Sequence, residues 1–203
     1  GQARSAAPFC REGPRGRAAG EAGGTTWLDA GGPVLGAFPG ARFEEGSARL
    51  APGEVLVLYT DGGCSGNPGP GGWAFILVHP ATGKTVEQSG GERETTNNRM
   101  ELQAVVEGLQ VLKRPTFVEL MTDSVYVGKG LSEYMPKWKA NGWRRKEGTK
   151  FAELKNAELW QRLDQLLATH QVKYTRVAGH SGHTENDRGD GMAVEAYRKL
   201  LGK

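Results

Sequence analysis

The chain has 203 residues and a mass of 21.8 kDa, which fits one domain of ordinary size with an appendage and excludes a large multidomain protein. Hydrophobic residues make up 37% of the chain, so it carries enough apolar material for a single core. The 26 basic and 23 acidic side chains leave a net charge of only +3, which by itself indicates no particular partner.

The beginning of the chain differs in composition from the rest. Residues 1–53 hold 12 of the 31 glycines and 5 of the 10 prolines, and they contain no lysine. Apolar residues there follow no regular spacing, which is typical of a segment that cannot bury a core. We therefore predict a disordered N-terminal segment over 1–53 and a folded domain over 54–203.

Neither a membrane segment nor a disulfide framework is predicted. The longest wholly apolar run, residues 74–78, is far shorter than a bilayer span, and the N-terminus lacks the apolar stretch of a signal peptide. Two cysteines, Cys10 and Cys64, form no paired pattern, which favours a reducing compartment. We expect a cytoplasmic protein that does not bind membranes.

Three strands open the predicted domain. A short apolar run rich in β-branched residues, 54–60, predicts a buried strand that ends at Asp61. A glycine-rich loop over 62–72 leads to two further strands, 73–79 and 85–91, which a four-residue turn joins. Strands with such short connections are expected to pair antiparallel.

A long amphipathic helix follows the third strand. Thr96 begins its cap, apolar residues recur at three- and four-residue spacing, and Pro115 prevents the helix from continuing. Glu101 lies in the first turn of this helix, one position from the apolar stripe. Residues 116–122 then predict a fourth strand that ends at Asp123, and the strand-helix-strand order makes it parallel to an earlier strand.

The remainder of the chain is mostly helical in pattern. Short helical pieces lead into a basic stretch, 137–155, whose seven cations and two acidic residues give a local charge of +5. A helix over 156–168, a fifth strand over 171–178 and a terminal helix over 185–201 complete the domain. The predicted fold is a mixed α/β sheet with helices on its faces, and the basic stretch indicates a polyanionic partner.

Acidic residues follow two of the predicted strands, where ligands commonly bind in such sheets. Asp61 and Asp123 could face each other there, although an aspartate after a strand is also a common turn former. Glu101 either favours the helix dipole at the surface or points into the same crevice. Near the C-terminus, Asp187 and Asp190 are three residues apart and therefore share a helix face.

Clustered carboxylates indicate a particular kind of cofactor. They repel one another and raise each other's pKa unless cations intervene, and hard divalent ions prefer oxygen ligands. Carboxylates without cysteine favour Mg²⁺, or Mn²⁺, over zinc. Two such ions can activate a water and stabilise the leaving oxygen of a phosphodiester, so the pattern predicts hydrolysis of nucleic acid.

Four motifs in order, residues 60–69, 96–102, 122–124 and 179–190, resemble those of type 1 ribonuclease H. The resemblance covers about residues 54–203. It implies a mixed five-stranded sheet in the order 3-2-1-4-5, with the first three strands antiparallel. It also implies cutting of the RNA strand of RNA/DNA hybrids by two metal ions, leaving 3′-hydroxyl and 5′-phosphate ends. We expect a monomer whose partner is the hybrid duplex.

The resemblance assigns roles to individual acidic residues and to one histidine. Four carboxylates would bind two Mg²⁺ ions, or Mn²⁺, and carry out catalysis: Asp61, Glu101, Asp123 and Asp190. Asp190 is preferred to Asp187 because it lies ten positions after His180, as in the family. His180 would be catalytic, assisting proton transfer or product release from a mobile loop.

The resemblance also implies contacts to the substrate through polar, aromatic and basic side chains. These residues are Cys64, Asn67, Thr96, Asn97, Asn98, Trp138, Trp143, Arg144, Arg145, Lys146, Asn156 and Asn186. The asparagines could instead be turn or cap residues. Trp138 and Trp143 could be packing anchors rather than surfaces for a nucleic-acid strand.

Two other functions fit parts of the pattern. A noncatalytic hybrid-binding module would keep the fold, but such a module usually lacks carboxylates, and here all four positions are filled. The chain could also be the ribonuclease H domain of a reverse transcriptase. Integrase-like nucleases share the fold but lack the asparagine pair and the basic stretch.

Overall fold

A computed structural model describes residues 34–35, 55–177 and 184–202, and the side chains of residues 55–177 and 188–202. Strands predominate in the first part of the domain and helices in the second, with a π-helical turn at Gly130–Tyr134. The strands are β1 (Val34–Leu35), β2 (Val55–Cys64), β3 (Gly69–His79), β4 (Lys84–Thr95), β5 (Phe117–Thr122), β6 (Arg144–Glu147), β7 (Lys150–Glu153) and β8 (Gln171–Arg176). The α-helices are α1 (Asn97–Gln110), α2 (Val125–Lys129), α3 (Met135–Ala140), α4 (Ala157–Thr169) and α5 (Thr184–Leu200).

The main sheet has the order β1-β8-β5-β2-β3-β4. Strands β2, β3 and β4 pair antiparallel, whereas β5 runs parallel to both β2 and β8. Without β1, these are the five predicted strands in the predicted order 3-2-1-4-5. The mixed α/β fold class is therefore confirmed.

A sixth strand, β1, lies at the edge of this sheet. Val34 and Leu35 pair antiparallel with Lys173 and Val172 of β8. The sequence analysis placed no strand there, because two apolar residues among glycines and prolines show no alternation. The rest of the N-terminal segment lies outside the described residues, so its disorder stays a prediction.

The strand that carries Asp61 is longer than predicted. Parallel pairing between β2 and β5 ends at Tyr59 and Met121, but antiparallel pairing with β3 continues as far as Cys64. Asp61 therefore lies within β2, just beyond the parallel ladder. Continuing that register by two residues places Asp61 opposite Asp123.

Helices pack on both faces of the sheet at points where glycine allows the backbones to approach. A β-carbon on Gly62 would collide with the backbone of Met100 in α1, and one on Gly72 would collide with Ala193 in α5. Gly72 pairs with Gly63, the neighbour of Gly62, and successive strand residues point to opposite faces. Helices α1 and α5 thus cover opposite faces of the sheet.

The largest core lies between the sheet and helices α1 and α4. Its fully buried side chains come from strands β2, β3 and β5 and from both helices. They include Leu58, Phe75, Leu102, Leu109, Leu120, Trp160 and Leu163. In the part of the chain that the structure describes, no helix is long and apolar enough to cross a bilayer.

The basic stretch contains a hairpin that the sequence analysis did not predict. Strands β6 and β7 pair antiparallel, and the closing pair Glu147–Lys150 leaves a two-residue turn. Gly148 occupies the first turn position with φ 59°, as a type II′ turn requires. All four residues of β6 are charged, and β7 has two adjacent apolar residues between two charged ones, so hydrophobic periodicity gave no signal here.

Candidate active site

Four carboxylates from different elements meet at the ends of the central parallel strands. Asp61 lies on β2, Asp123 follows β5, and Asp190 lies on α5. Glu101 is the fifth residue of α1, so it lies just beyond the first turn rather than within it as predicted. Burial, above all, raises the pKa of Asp61 from 3.8 to about 7. The charges of Asp190, Asp123 and Glu101 raise it further. The predicted convergence of these side chains is therefore present in the structure.

Helix α5 brings Asp190 to this cluster by passing close to β2. A β-carbon on Gly189 would lie 3.9 Å from the Cβ of Asp61. Gly189 is itself buried, so the helix start rests against the strand. A β-carbon at this position would make only an ordinary van der Waals contact, so α5 and β2 are close neighbours here without being crowded.

Glu101 is held by its neighbours. Burial raises the pKa of Glu101 to about 7, the charge of Asp123 adds to the increase, and a hydrogen bond from Ser124 opposes it. In that bond the Ser124 hydroxyl donates to Glu101 Oε2 at 2.5 Å. Both Asp61 and Glu101 thus hold a proton up to about pH 7 in the absence of a cation, far above the ordinary range of a carboxyl group.

The oxygen donors suit a divalent ion that keeps most of its own water. Across residues 55–177 and 188–202, no group of three or more His, Cys, Asp or Glu side chains is spaced as a ready-made metal cage. Mg²⁺ requires no such cage, because it usually binds one or two carboxylates and completes its shell with waters and substrate phosphate. The raised pKa values of Asp61 and Glu101 indicate a site short of positive charge. These residues therefore fit Mg²⁺.

The loop after Asp61 meets the start of α1 through one of the predicted contact residues. The backbone N–H of Cys64 donates to Asn97 Oδ1 at 2.8 Å, and the Cys64 thiol donates to the carbonyl of Gly66 at 2.5 Å. Asn67 and Asn98 are exposed beside them. The helix cap is Thr96, whose side chain accepts from Arg99 N, so capping does not account for the asparagine pair.

Two helix N-termini lie side by side near this loop. Arg99 of α1 forms ion pairs with Glu92 on β4 and Glu158 on α4, which ties the start of α1 to the start of α4. Thr96 caps α1, and Asn156 precedes α4 with a left-handed backbone, φ 57°. Helix N-termini favour anions, so the predicted phosphate contacts at Thr96 and Asn156 have a suitable setting.

Asn156 is oriented by an aromatic cluster. Its Nδ2 donates to the hydroxyl of Tyr126 at 3.2 Å, and Trp160 Nε1 donates to the same hydroxyl at 2.8 Å. The Trp138 ring packs 5.2 Å from the Trp160 ring, between centroids. Trp138 and Trp143 are half-buried against the core, so they act at least as packing anchors.

The hairpin presents the predicted cations to solvent. Arg144, Arg145 and Lys146 are all exposed. Arg145 pairs with Glu147 on its own strand, and among the described residues no ion pair is found for Arg144 or Lys146. Two of the three cations are thus available to an external anion.

Some predicted residues cannot be placed, and some important ones were missed. His180 lies outside the described residues, as does the side chain of Asn186. The sequence analysis assigned no role to Ser124, Arg99 or Tyr126. Serine directly before a helix is a common N-cap and could have been recognised, but the long-range contacts of Arg99 and Tyr126 leave no local signal.

Two family models match parts of the chain. The family model for RNase H matches residues 53–198, which is more than half of the chain. A second model, Stage II sporulation protein E (SpoIIE), matches residues 17–83, less than half of the chain, and shows no family membership.

Individual relatives share the same domain. The ribonuclease H of Rhodopirellula baltica is 57% identical over 146 residues, covering 72% of this chain and 92% of that protein. A similar solved structure is that of LC9-RNase H1, a type 1 RNase H with the type 2 active-site motif. It has a TM-score of 0.62 and 32% sequence identity, and the match covers 74% of this chain and 75% of that one. LC11-RNase H1, solved in complex with an RNA/DNA hybrid, shares the fold at a TM-score of 0.51 and 23% identity, covering 72% of this chain and 99% of that one.

Proposed function

The chain belongs to the ribonuclease H family, and on that premise we propose that it is an endonuclease that hydrolyses the RNA strand of RNA/DNA hybrids. The observation that carries the proposal is the meeting of four carboxylates at the ends of β2 and β5, next to a basic surface. The relative LC11-RNase H1 binds such a hybrid, which supports the substrate class.

The carboxylates Asp61, Glu101, Asp123 and Asp190 would hold the divalent ions. Two Mg²⁺ ions bound there, or Mn²⁺ in their place, would activate a water and stabilise the leaving 3′-oxygen of the RNA strand. The products would carry 3′-hydroxyl and 5′-phosphate ends. Positive charge at this site would return Asp61 and Glu101 to their ionised forms, because it offsets the burial and repulsion that raise their pKa.

The loop and helix start beside the carboxylates would read the sugar of the RNA strand. The 2′-hydroxyl distinguishes RNA from DNA, and hydrogen-bonding groups in the minor groove can recognise it. Asn67 and Asn98 are exposed there, while Asn97 links the helix start to Cys64. We assign the 2′-hydroxyl contacts to this group.

The DNA strand would be bound at two places by phosphate contacts. Thr96 and Asn156 lie at adjacent helix N-termini, which attract anions. Farther along the strand, the β6–β7 hairpin offers Arg144 and Lys146, with Arg145 partly neutralised by its own ion pair. Trp138 and Trp143 precede this hairpin and pack against the core. Their remaining surface would contact the DNA strand.

Other parts of the proposal come from the sequence. His180 would assist proton transfer or product release, and Asn186 would contact the substrate. A monomeric state and a cytoplasmic location also stay predictions. The reverse transcriptase origin stays an alternative, because a domain of that origin would have the same site. A noncatalytic module is disfavoured, since all four carboxylates are present.

The decisive experiment is cleavage of an end-labelled RNA strand paired with DNA, with RNA/RNA and DNA/DNA duplexes as controls. Cutting only of the hybrid, in Mg²⁺ and not in EDTA, is expected. Asp123→Asn should abolish cutting while far-UV circular dichroism stays unchanged. Asp164→Asn is the matched control, because Asp164 pairs with Lys139 on the surface. Tight binding of the hybrid without cutting by the wild-type protein would instead support the noncatalytic module.

A further inference from the structure

Ser124 links two of the site carboxylates. It follows Asp123 in the chain, and its hydroxyl donates to Glu101 Oε2 at 2.5 Å. The same hydroxyl accepts from Val127 N at 3.1 Å and caps α2, while its own N–H donates to Thr122 Oγ1 at 3.2 Å. Only 3% of Ser124 is exposed, so water does not compete for these bonds.

The direction of the bond to Glu101 follows from the hydroxyl and from the charge of the carboxylate. A serine hydroxyl has one hydrogen, and Val127 N–H occupies one of its oxygen lone pairs. An ionised Glu101 can only accept, so in the form of the site that binds a cation the hydroxyl hydrogen points at Glu101. The oxygen–oxygen distance of 2.5 Å lies at the short end of the range for a hydroxyl bound to a carboxylate.

This bond restrains a flexible side chain at the centre of the site. Glutamate has three rotatable side-chain bonds, and a carboxylate held by one partner loses most of that freedom. The partner is Ser124, adjacent to Asp123 at the end of β5, whereas Glu101 belongs to α1. The hydrogen bond therefore ties the Glu101 carboxylate to the residue that follows Asp123, across two different elements.

We propose that Ser124 is a positioning residue that holds Glu101 beside Asp123, so that the two carboxylates bind a divalent ion without reorganising. This inference rests on the proposed function, because it concerns the same metal site. Residues that support metal ligands typically change metal affinity or activity by about 10–100-fold when they are removed. Removing the Ser124 hydroxyl is expected to weaken Mg²⁺ binding within this range.

A capping role alone would explain only part of the geometry. Replacing a capping serine by alanine removes the acceptor for the helix, whereas glycine at a cap costs only a few tenths of a kcal/mol. Ser124→Ala and Ser124→Gly both remove the donor to Glu101, but glycine largely keeps the capped helix start. Ser124→Thr keeps a hydroxyl that can make both bonds.

The test measures ion binding without nucleic acid and then cleavage. Each variant is titrated with Mg²⁺ alone, and with Mn²⁺ alone, while the shift in thermal unfolding midpoint is followed. The alanine and glycine variants should both bind Mg²⁺ about 10–100-fold more weakly than wild type, and the threonine variant should approach wild type. On the hybrid, kcat at fixed Mg²⁺ should fall for the alanine and glycine variants, with KM for the hybrid unchanged.

Two results would overturn the proposal. Wild-type Mg²⁺ affinity in the alanine and glycine variants would show that Ser124 does not position Glu101. Impairment in the alanine variant alone would show that only the helix cap matters. Because the titrations use no substrate, they still test Ser124 if the wild-type protein fails to cut hybrids, and that failure would refute only the proposed function.

Discussion

Replacing Asp61 by asparagine should stabilise the protein in the absence of divalent ions. Burial and three neighbouring carboxylates raise the pKa of Asp61 from 3.8 to about 7, so its ionised form is unfavourable in the fold. Asparagine has nearly the same shape and no charge. Its Oδ1 can still accept the hydrogen bond that Gly62 N donates at 2.7 Å.

The size and pH range of the effect follow from this pKa. The raised pKa corresponds to a free-energy cost of about 4 kcal/mol for ionising Asp61 in the fold, at 1.36 kcal/mol per pKa unit. This value is an upper bound, because Asp61 is partly solvated. The folded wild type binds the proton more tightly than the unfolded chain, so its stability falls as the pH rises from about 4 to about 7. The advantage of Asp61→Asn should be absent near pH 4 and complete above pH 7.

Urea unfolding in EDTA at pH 4, 6 and 8, followed by far-UV circular dichroism, measures this difference. Asp164→Asn is the control, since Asp164 pairs with Lys139 at 2.8 Å and its neutralisation relieves no repulsion. Adding Mg²⁺ should stabilise the wild type and reduce the difference in free energy of unfolding between it and Asp61→Asn. An ion that binds only the folded state shifts the unfolding equilibrium toward that state.

An Asp61→Asn variant that is no more stable than wild type at pH 8 in EDTA would refute the reasoning. A gain that is the same at pH 4 and pH 8 would also contradict it, because the stabilisation would then not come from removing a charge. Asp61→Asn should in addition lose metal-dependent cleavage, which separates the contribution of this carboxylate to activity from its cost to stability.

Other predictions follow from the packing and the charges. Gly62→Ala should destabilise the fold by about 1–3 kcal/mol and lower kcat, because the new β-carbon would displace the start of α1. Gly63→Ala is the control, and its stability in urea unfolding should stay within about 0.5 kcal/mol of wild type, since the nearest atom to its β-carbon is 3.9 Å away. Lys146→Ala should reduce the salt dependence of hybrid binding by about one phosphate contact. Arg145→Ala should reduce it by less, because Arg145 already pairs with Glu147. Equal slopes of binding affinity against salt concentration for the two variants would contradict this difference. Deleting residues 1–53 should leave the cleavage rate essentially intact, and a more than tenfold loss would show that this segment is part of the enzyme.

Local sequence patterns were sufficient for the five central strands and for the long helices of the domain. Alternating and apolar runs marked the five central strands, and the threonine cap and Pro115 bounded the first helix within a few residues of Asn97–Gln110. The strand-helix-strand order was enough to make β5 parallel to β2. The basic hairpin was missed, because its strands carry charged residues and bury little.

The resemblance to ribonuclease H, which short local motifs carry, identified the four carboxylates and the asparagine loop, and the composition of residues 137–155 identified the basic stretch. Only the tertiary structure decided how they meet. It placed Asp61 and Asp123 just beyond the last pair of the β2–β5 ladder, seated α1 on Gly62, and directed the Ser124 hydroxyl to Glu101. The physical reason is that burial, raised pKa values and hydrogen bonds between elements depend on distances across the fold, which no local pattern of residues specifies.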